Sequence, residues 1–351
     1  MNNRHNCFDV IRLIASLAVL VSHQYPISGR VEPSFFGLTS IGSVAVIAFF
    51  AISGYLITAS WMSCKSTLAY LNKRCRRLFP GLFVCSLLMV YFAAPVFGLY
   101  NQKAFVMSWY SIESLYSYAL LQFQIPFTNG FTSGYHLPNS VNGSLWTLKF
   151  EFIDYILIAA VLFLKKKPLT CAIGLLVISL LAYTVCVMTF DKTPGAYNIH
   201  ELEYYIYRGS MLTVSFAIGS VFYFTRNTMT TSYIPWVISV ALVVASVAFD
   251  FFHAFMVGFS ILILLIGVTF NEKIIAGRFD YSYGIYIYAF PVQQIVVNEM
   301  HYAFYESMAL SALITILLGA ASWHLVEKKF LPYRIAKQSN LMKQSNEKEY
   351  V

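Results

Sequence analysis

Three ionisable residues lie in or beside the first long apolar run of the chain, where charge is costly. Asp9 and Arg12 lie within the run, and His23 lies at its far end. An ionisable side chain inside a membrane span costs at least ~2.5–3.5 kcal/mol, so its presence needs a reason. In an α-helix, eleven residues advance about 1100°, within roughly 20° of three full turns. Arg12 and His23 therefore share one helix face, about 16 Å apart along the axis.

This shared face offers a cation and a proton acceptor at two depths, with Ser16 between them on nearly the same side. One interpretation is a binding and catalytic face that lines a cavity. The other is structural: Asp9, three residues before Arg12, forms an interfacial ion pair with it, and His23 is a loop histidine. Periodicity alone leaves both interpretations open.

The composition is that of a membrane protein. Of 351 residues, 58% are apolar and 11% are charged, whereas soluble domains carry about 25% charged residues. The mean hydropathy is +0.63. The net charge of +8 does not indicate a nucleic-acid partner, because the basic residues lie between apolar runs. The six cysteines show no paired Cys or Cys/His spacing, so we expect neither a metal site nor a disulfide framework.

Ten apolar runs approach the ~20 residues that cross a bilayer. They lie at about 7–24, 40–61, 79–98, 145–164, 169–189, 207–224, 234–250, 253–270, 281–298 and 308–326. The predicted fold is therefore all-α, a polytopic transmembrane helical bundle of about ten spans. We expect one transmembrane domain over 1–330 and a polar cytoplasmic tail over 331–351.

The basic residues give the predicted orientation. With ten spans and both termini in the cytoplasm, eighteen of the 24 basic residues fall on the cytoplasmic side, whereas the outer loops hold only Arg30, Lys103 and Lys192. This is the positive-inside pattern. Counting the aromatic, hydroxyl-rich segment 104–125 as an eleventh span would invert everything after it. We therefore predict an interfacial or re-entrant helix there.

Six short motifs follow one another along nearly the whole chain. They are FDVIRLIASLAVLVSH at 8–23, FFAISGYLI at 49–57, KRCRRLFPGL at 73–82, SLWTLKFEF at 144–152, YSYGIYIYAFPV at 281–292 and HLVEKKF at 324–330. In this order they resemble the motifs of the membrane-bound acyltransferase-3 family, whose first span carries Arg, ten residues and then His. Arg12 and His23 meet that spacing, and Ser53 and Gly54 of the second motif are small residues that allow close helix approach. The short chain most resembles the O-acetyltransferases of bacterial O-antigen.

The resemblance implies an O-acyltransferase of the bacterial inner membrane. Acetyl-CoA would be the acyl donor, and a hydroxyl of a lipid-linked surface-polysaccharide sugar would be the acceptor. Membrane lipids are the other expected partners; no metal and no nucleic acid are expected, and the oligomeric state stays open. His23 would be the general base, because an imidazole with an unperturbed pKa of about 6.5 suits proton transfer near neutral pH.

The same resemblance assigns roles to the basic residues. Arg12, grouped with His23 as catalytic, would contact the pantetheine end or the thioester oxygen of the donor. Arg74, Arg76 and Arg77 would bind the phosphates of the donor, because guanidinium groups match phosphate oxygens. The alternative for these three arginines is ordinary topology-setting charge.

The motif at 144–152 supplies a third catalytic candidate, Glu151, which needs a partner inside the membrane. It would orient His23, or pair with Arg12, Lys149 or Arg208, and a purely structural ion pair is the alternative. The predicted substrate-binding residues are Trp146, Ser144 and Tyr286, and for Trp146 and Tyr286 packing is an equal alternative. One departure concerns Ala289, since the family usually carries a histidine at that position.

Two other classes of function remain open at this stage. A transporter or flippase of a glycan precursor would use the buried charges as substrate or proton-relay sites. Such proteins often show internal repeats and broken helices in matching positions, and the sequence shows neither. A non-catalytic membrane scaffold is the third possibility, in which the Arg12/His23 face would be idle.

Overall fold

The computed structural model describes residues 6–100, 102–122, 127–161, 167–189, 201–275 and 277–331. The predicted tail, apart from Leu331, lies outside the described residues. Fourteen α-helices occur in the described part: α1 Phe8–Ile27, α2 Ile41–Ser63, α3 Thr67–Leu88, α4 Ala94–Phe97, α5 Gln102–Val106, α6 Trp109–Ala119, α7 Leu145–Val161, α8 Pro168–Thr189, α9 Glu201–Thr231, α10 Ile234–Phe249, α11 Phe252–Thr269, α12 Ser282–Glu299, α13 Phe304–Ala321 and α14 Lys328–Phe330.

Three short elements complete the description. Met89–Ala93 and Ser322–Glu327 are π-helical and continue α3 and α13, respectively. The strands β1 Ser34–Phe35 and β2 Thr39–Ser40 form a small antiparallel hairpin between α1 and α2. The prediction of an all-α chain is therefore confirmed, apart from these four strand residues.

Each of the ten predicted apolar runs lies on a helix, as far as the chain is described. Among the described residues, six helices, counting π-helical continuations, are long and apolar enough to cross a membrane, or seven if α9 and α10 form one span bent by 112°. Two of the remaining helices are short, since α7 has 17 residues and α10 has 16. The structure thus confirms a multi-pass membrane protein, while the count of ten spans stays a prediction.

The described part of the segment 104–125, residues 104–122, holds the end of α5 and the whole of α6. An α-helix of 11 residues, such as α6, is about 16 Å long and cannot cross the ~30 Å apolar core of a bilayer. Its buried face carries the hydroxyls of Ser111, Ser114 and Ser117, whereas Glu113 is exposed. The argument against an eleventh span therefore agrees with the structure.

The chain divides into two compact units. The first unit comprises residues 1–22, 32–67 and 147–278, which hold most of α1 and α7 together with α2 and α8–α11. Helices α2 and α9 pack backbone against backbone: a Cβ on Gly54 would lie 1.9 Å from the Phe216 carbonyl oxygen, and one on Gly219 would lie 2.0 Å from that of Ala51. Small residues permit such close packing in membranes, so the predicted close helix approach at Gly54 is confirmed.

The second unit comprises residues 23–31, 68–146 and 279–351. It holds the last turn of α1, helices α3–α6 and helices α12–α14. Helix α12 is buried along its first ten residues. It also approaches α13 closely, since a Cβ on Gly284 would lie 2.7 Å from the Gly319 Cα. The expectation of one domain over 1–330 stays a prediction, because both units are assembled from separated stretches of the chain.

Candidate active site

His23 lies on the last part of α1, within the second unit. Its ring is partly exposed, but Nδ1 is buried and has no hydrogen-bond partner among the described residues. A buried polar atom without a partner costs about 1–3 kcal/mol and needs an explanation. An imidazole nitrogen that is left open for a substrate proton is one such explanation.

The His23 ring packs edge-on against Phe290 of α12, with the ring centroids 5.2 Å apart and the planes at 78°. This contact fixes the imidazole without using either nitrogen. Phe290 follows Ala289, which is fully buried at the position where the family resemblance would place a histidine. At this position α12 thus contributes an apolar wall to the surroundings of His23.

The segment before α7 packs against the same face of α12. Gly143 lies under the Phe290 ring, where a Cβ would come within 2.4 Å of the ring. Asn142 Nδ2 donates a hydrogen bond to the Ile287 carbonyl at 2.9 Å, and the Tyr286 hydroxyl donates one to the Ser144 carbonyl at 3.0 Å. Phe290 therefore joins His23 to the segment that carries the predicted substrate residue Ser144.

The predicted substrate residues differ in how accessible they are. Ser144 and Tyr286 are buried, and the Tyr286 hydroxyl is engaged by the backbone. Trp146 is only half-buried. The geometry therefore favours a positioning role for Tyr286, and it leaves Trp146 as the better candidate for contact with a ligand.

Glu151 lies on α7 in the first unit. Its Oε1 accepts hydrogen bonds from the Ser53 hydroxyl at 2.8 Å and from the Tyr155 hydroxyl at 2.6 Å. Sequence reasoning named His23 or a basic residue as its partner, and neither hydroxyl was anticipated. Ser53 was interpreted only as a small residue that permits close packing, so its second role as a donor was missed.

Arg12 is half-buried near the start of α1, also in the first unit. Asp9, its predicted partner, accepts a hydrogen bond from the Gly277 backbone N–H at 3.1 Å. Ser16 is fully buried and donates to the Leu13 carbonyl, which satisfies its hydroxyl within the helix. The role of Arg12 toward the donor stays a prediction.

Arg77 is held by two carboxylates in the second unit. Its guanidinium nitrogens lie 2.6 Å from Asp280 and 2.6 Å from Glu327. It also lies over the rings of Tyr283 and Trp323. Arg77, Asp280 and Glu327 are called the arginine–carboxylate cluster below. Because both ends of the guanidinium fork are occupied, the geometry favours a structural role for Arg77 over phosphate binding.

The π-helical segment Ser322–Glu327 positions one member of this cluster. Such segments are rare and are frequently found at functional sites. The Glu327 side chain is 1% exposed, and its Oε1 accepts a hydrogen bond from Ser322 at 2.9 Å. Asp280 in turn accepts a hydrogen bond from the Ser282 hydroxyl at the start of α12. The cluster therefore joins the middle of α3 to the start of α12 and to the end of the π-helical segment that continues α13.

Arg74 and Arg76 remain half-exposed on α3. Arg76 donates to the Asn72 side chain at 3.0 Å, one turn earlier on the same helix, and Arg74 lies 5.9 Å from the centre of the Tyr70 ring. The three arginines of one motif thus divide into one enclosed residue and two accessible ones. Only the accessible pair is suited to bind a soluble anion.

Glu32, which sequence reasoning missed, lies beside the end of α1 in the first unit. It accepts a hydrogen bond from the Ser22 hydroxyl, and Ser22 in turn accepts one from the Gly42 N–H at 2.8 Å. Burial raises the pKa of Glu32, and hydrogen bonds from Ser40 and Gly42 partly oppose this shift. No periodicity could have placed a loop carboxyl against the residue that precedes His23.

Comparisons with known proteins show the family of the chain. The model of the acyltransferase domain family matches residues 5–325, nearly the whole chain. The chain belongs to this acyltransferase family. It is therefore an enzyme that transfers acyl groups, and the family match includes Arg12, His23, Glu151 and the arginine–carboxylate cluster apart from Glu327.

Two relatives cover almost all of this acyltransferase. It is 36% identical over 337 residues to an O-acetyl transferase of Shigella phage Sf6, with 94% of this chain and 97% of the relative covered. It is 25% identical over 361 residues to nodulation protein 10 of Rhizobium leguminosarum bv. viciae, with 95% of each covered. No solved structure matches the chain.

Proposed function

We propose that this acyltransferase moves an acetyl group from acetyl-CoA to a hydroxyl of a lipid-linked surface-polysaccharide sugar, at the bacterial inner membrane. The observation that carries the proposal is the 36% identity to a phage O-acetyl transferase over 94% of the chain. Membership of an acyltransferase family favours this activity over a transporter or an idle scaffold. The protein would act with lipopolysaccharide O-antigen as its class of acceptor.

His23 is the proposed general base of the reaction. The imidazole removes the proton of the sugar hydroxyl as the oxygen attacks the thioester carbonyl. The tetrahedral intermediate then collapses to the ester, and the departing sulfur takes a proton from the imidazolium to leave as CoA thiol. The support is a buried nitrogen that no described side chain occupies, on a ring fixed by Phe290.

The donor side of the proposal rests on accessible guanidinium groups. Arg74 and Arg76 bind phosphates of CoA, while Arg77 fixes the helix that carries them through its two carboxylates. Arg12, inside the first span, faces the thioester end of the donor. A guanidinium at that depth is costly unless an anionic group or a nascent oxyanion offsets the cost.

The proposed topology has ten spans and cytoplasmic termini. Within the second unit, Arg30 and His136 line the same cavity as His301, Tyr302 and Phe304, and this topology assigns all five residues to the outer side. Arg77, Asp280 and Glu327 meet in turn, and all three are assigned to the cytoplasmic side. These two groupings support the order of spans.

Single cysteines at positions 30 and 65, in a background without the native cysteines, test this topology. An impermeant thiol reagent on intact cells should label position 30 and spare position 65. The same experiment applies to Lys165, Lys192 and Lys343, which lie outside the described residues. Labelling at position 165 would contradict the ten-span topology.

The transfer itself is tested with radiolabelled acetyl-CoA. Membranes that contain the protein are incubated with the donor and with extracted lipid-linked glycan, and alkali-labile label on the glycan is measured. Transfer to the glycan supports the proposal, and label that never leaves the donor contradicts it. A mass spectrum of the surface polysaccharide with and without the protein then identifies the sugar and its hydroxyl.

A further inference from the structure

A polar cavity of about 260 Å³ lies at the end of α1, within the second unit. Six of its lining residues are polar and form what is called the cationic pocket below: Ser28, Arg30, His136, His301, Tyr302 and Ser307. None of the residues that line it carries a carboxylate. Its volume lies just under the ~300–1,000 Å³ of typical small-molecule sites, so it suits a single sugar-sized or diphosphate-sized group.

The local sequence explains why Ser28 and Arg30 face this pocket. Helix α1 ends in a Schellman motif: Gly29 adopts a positive φ of 68°, the Gly29 N–H donates to Pro26 and the Arg30 N–H donates to Tyr25 at 2.8 Å. Gly29 also lies against His136, where a Cβ would be 3.5 Å from the ring Nδ1. A defined chain reversal, rather than a loose loop, therefore presents these side chains.

Buried hydrogen bonds connect Ser307 of the pocket to Gln24, the residue that follows His23. Ser307, which is 1% exposed, accepts a hydrogen bond from Gln24 at 2.9 Å, and Gln24 accepts one from Gln293 at 2.8 Å. Both glutamines are fully buried. Gln24 directly follows His23, and Ser28 lies about 7.5 Å further along the axis than His23. A group bound in the pocket would thus lie about one and a half turns beyond the proposed base.

The charges around the pocket favour an anion. The Arg30 guanidinium lies over the Phe304 ring, 4.2 Å from the ring centroid, and the Arg30 side chain is exposed. Three carboxylates lie within two residues of the pocket in sequence, and each accepts a hydrogen bond elsewhere: Glu32 from the Ser22 hydroxyl, Glu299 from the Tyr135 hydroxyl and Glu306 from the Ala303 N–H. Burial, together with the contact with Glu299, raises the pKa of Tyr135, so Tyr135 keeps its proton and donates the hydrogen bond.

Two further features mark the pocket as a candidate binding site. The Ser28 hydroxyl is buried and has no hydrogen-bond partner in the described part of the chain. His301 holds a left-handed backbone, with φ of 54°, which is uncommon outside glycine and is enriched at functional sites. Hydroxyl, imidazole and guanidinium groups thus line the same cavity.

We propose that the cationic pocket binds an anionic group of the glycan acceptor, a phosphate or a carboxylate, and thereby holds the acceptor against the His23 end of α1. This inference rests on the proposed function and adds to it that the acceptor carries a negative charge. The anion has two possible sources, which are the diphosphate of the lipid carrier and a uronic acid in the glycan.

Binding to the purified full-length protein distinguishes these sources. The probes are geranyl diphosphate and glucuronate, each with a neutral counterpart, geraniol and glucose. We expect one of the two anions to bind, and Arg30→Gln to weaken that binding about tenfold or more. His301→Asn, which tolerates the left-handed backbone, should weaken it less. Lys103→Gln, which removes a basic residue from α5, is the matched control and should bind as the wild type does.

Steady-state kinetics with acetyl-CoA separate this inference from the proposed function. Arg30→Gln should raise the acceptor KM about tenfold and leave the donor KM unchanged. Acetyl transfer with the same acceptor KM in Arg30→Gln and Lys103→Gln would refute the anion site and leave the proposed function standing. Arg30-dependent anion binding by a protein that transfers no acetyl group would refute the proposed function instead. Failure of both anions to bind would also overturn the inference.

Discussion

Two arginine sites in the second unit use the same side chain in opposite ways. Arg77 lies between two carboxylates at 2.6 Å, one of them on a side chain only 1% exposed. Arg30 is exposed, lies over an aromatic ring and lines a cavity without a carboxylate. The Arg77 guanidinium is bound by two carboxylates of the protein, whereas the Arg30 guanidinium has N–H donors that a ligand in the cavity can use.

The difference separates a structural charge from one that is available to a ligand. Removing one partner of a buried ion pair leaves an uncompensated charge and costs about 3–5 kcal/mol. An exposed charge over an aromatic ring contributes only about 0.5–1 kcal/mol. Retaining the second arrangement therefore does little for stability, which is why it points to binding. The same criterion applies to histidines and carboxylates elsewhere in the chain.

His23 gives the largest expected effect under this criterion. Because its buried nitrogen is unpartnered, we expect His23→Ala to lower the rate of transfer about 10²–10⁴-fold while the protein still folds. The matched control is His324→Ala, since His324 already shares a hydrogen bond with the Tyr281 hydroxyl at 2.9 Å. The measurement is kcat with both substrates saturating. A His23→Ala protein that keeps more than about a tenth of the rate would exclude His23 as the base.

Arg77 gives the next largest effect, and it should be an effect on stability. We expect Arg77→Gln to cost about 3–5 kcal/mol of unfolding free energy, because Asp280 and Glu327 would lose their shared cation. Arg76→Gln, on the accessible side of α3, should change stability by less than about 0.5 kcal/mol. Thermal unfolding in detergent measures both.

The KM for acetyl-CoA provides the converse test of Arg76 and Arg77. Arg76→Gln should raise the KM for acetyl-CoA, since a hydrogen bond from a charged group to a phosphate contributes about 1.5–3 kcal/mol. If Arg77→Gln proved stable and raised the donor KM instead, the arginine–carboxylate cluster would be a donor site and the comparison with Arg30 would break down.

The sequence predicted the helical fold well, and for a physical reason. Each apolar run long enough to cross a bilayer must satisfy its backbone internally, which makes a helix the outcome almost without alternatives. The close packing at Gly54 was predictable for a similar reason, since a small residue in a span has few other uses. The choice among six, seven or ten spans was harder, because helices such as α7, α10 and α12 are short or polar.

The site was predictable only where one helix determines it. Arg12 and His23 share α1, so helical periodicity relates them directly. Ser53, one partner of Glu151, and both partners of Arg77 come from residues 98 to 250 positions away in the chain, which no local pattern can supply. Tyr155, the other partner of Glu151, lies only four residues away on the same helix. The cationic pocket was missed for the same reason: it joins the end of α1, one loop and the turn between α12 and α13.

Glu151 tests the criterion on a carboxylate, with a smaller expected effect. Its oxygen accepts from Ser53 and Tyr155, and the carbonyl oxygen of a glutamine can accept the same two bonds. We expect Glu151→Gln to lower kcat less than tenfold, because hydrogen bonds to a neutral acceptor are weaker by about 1 kcal/mol. Glu151→Ala, which removes the acceptor, should be the more damaging variant. A Glu151→Gln protein as inactive as His23→Ala would show that the negative charge itself takes part in catalysis.

Substitution of Glu32 gives the smallest expected effect, a change in thermal stability whose direction with pH follows from the burial of its side chain. Burial raises its pKa in the folded protein, so the folded state holds this proton more tightly than the unfolded state does. The resulting stabilisation is fully present below the unfolded pKa, near 4.3, and is lost as the pH rises through the folded pKa. Glu32→Gln resembles the protonated form at every pH and keeps an acceptor for Ser22. We therefore expect the variant to unfold about 1–2 °C above the wild type at pH 8, with the difference shrinking as the pH falls toward 5.

Glu113→Gln, at an exposed carboxyl on α6, is the matched control and should show no such trend. A difference that grows as the pH falls would mean that Glu32 works as a carboxylate against Ser22 and Gly42, and that the end of α1 is held by a charge rather than by a buried acid.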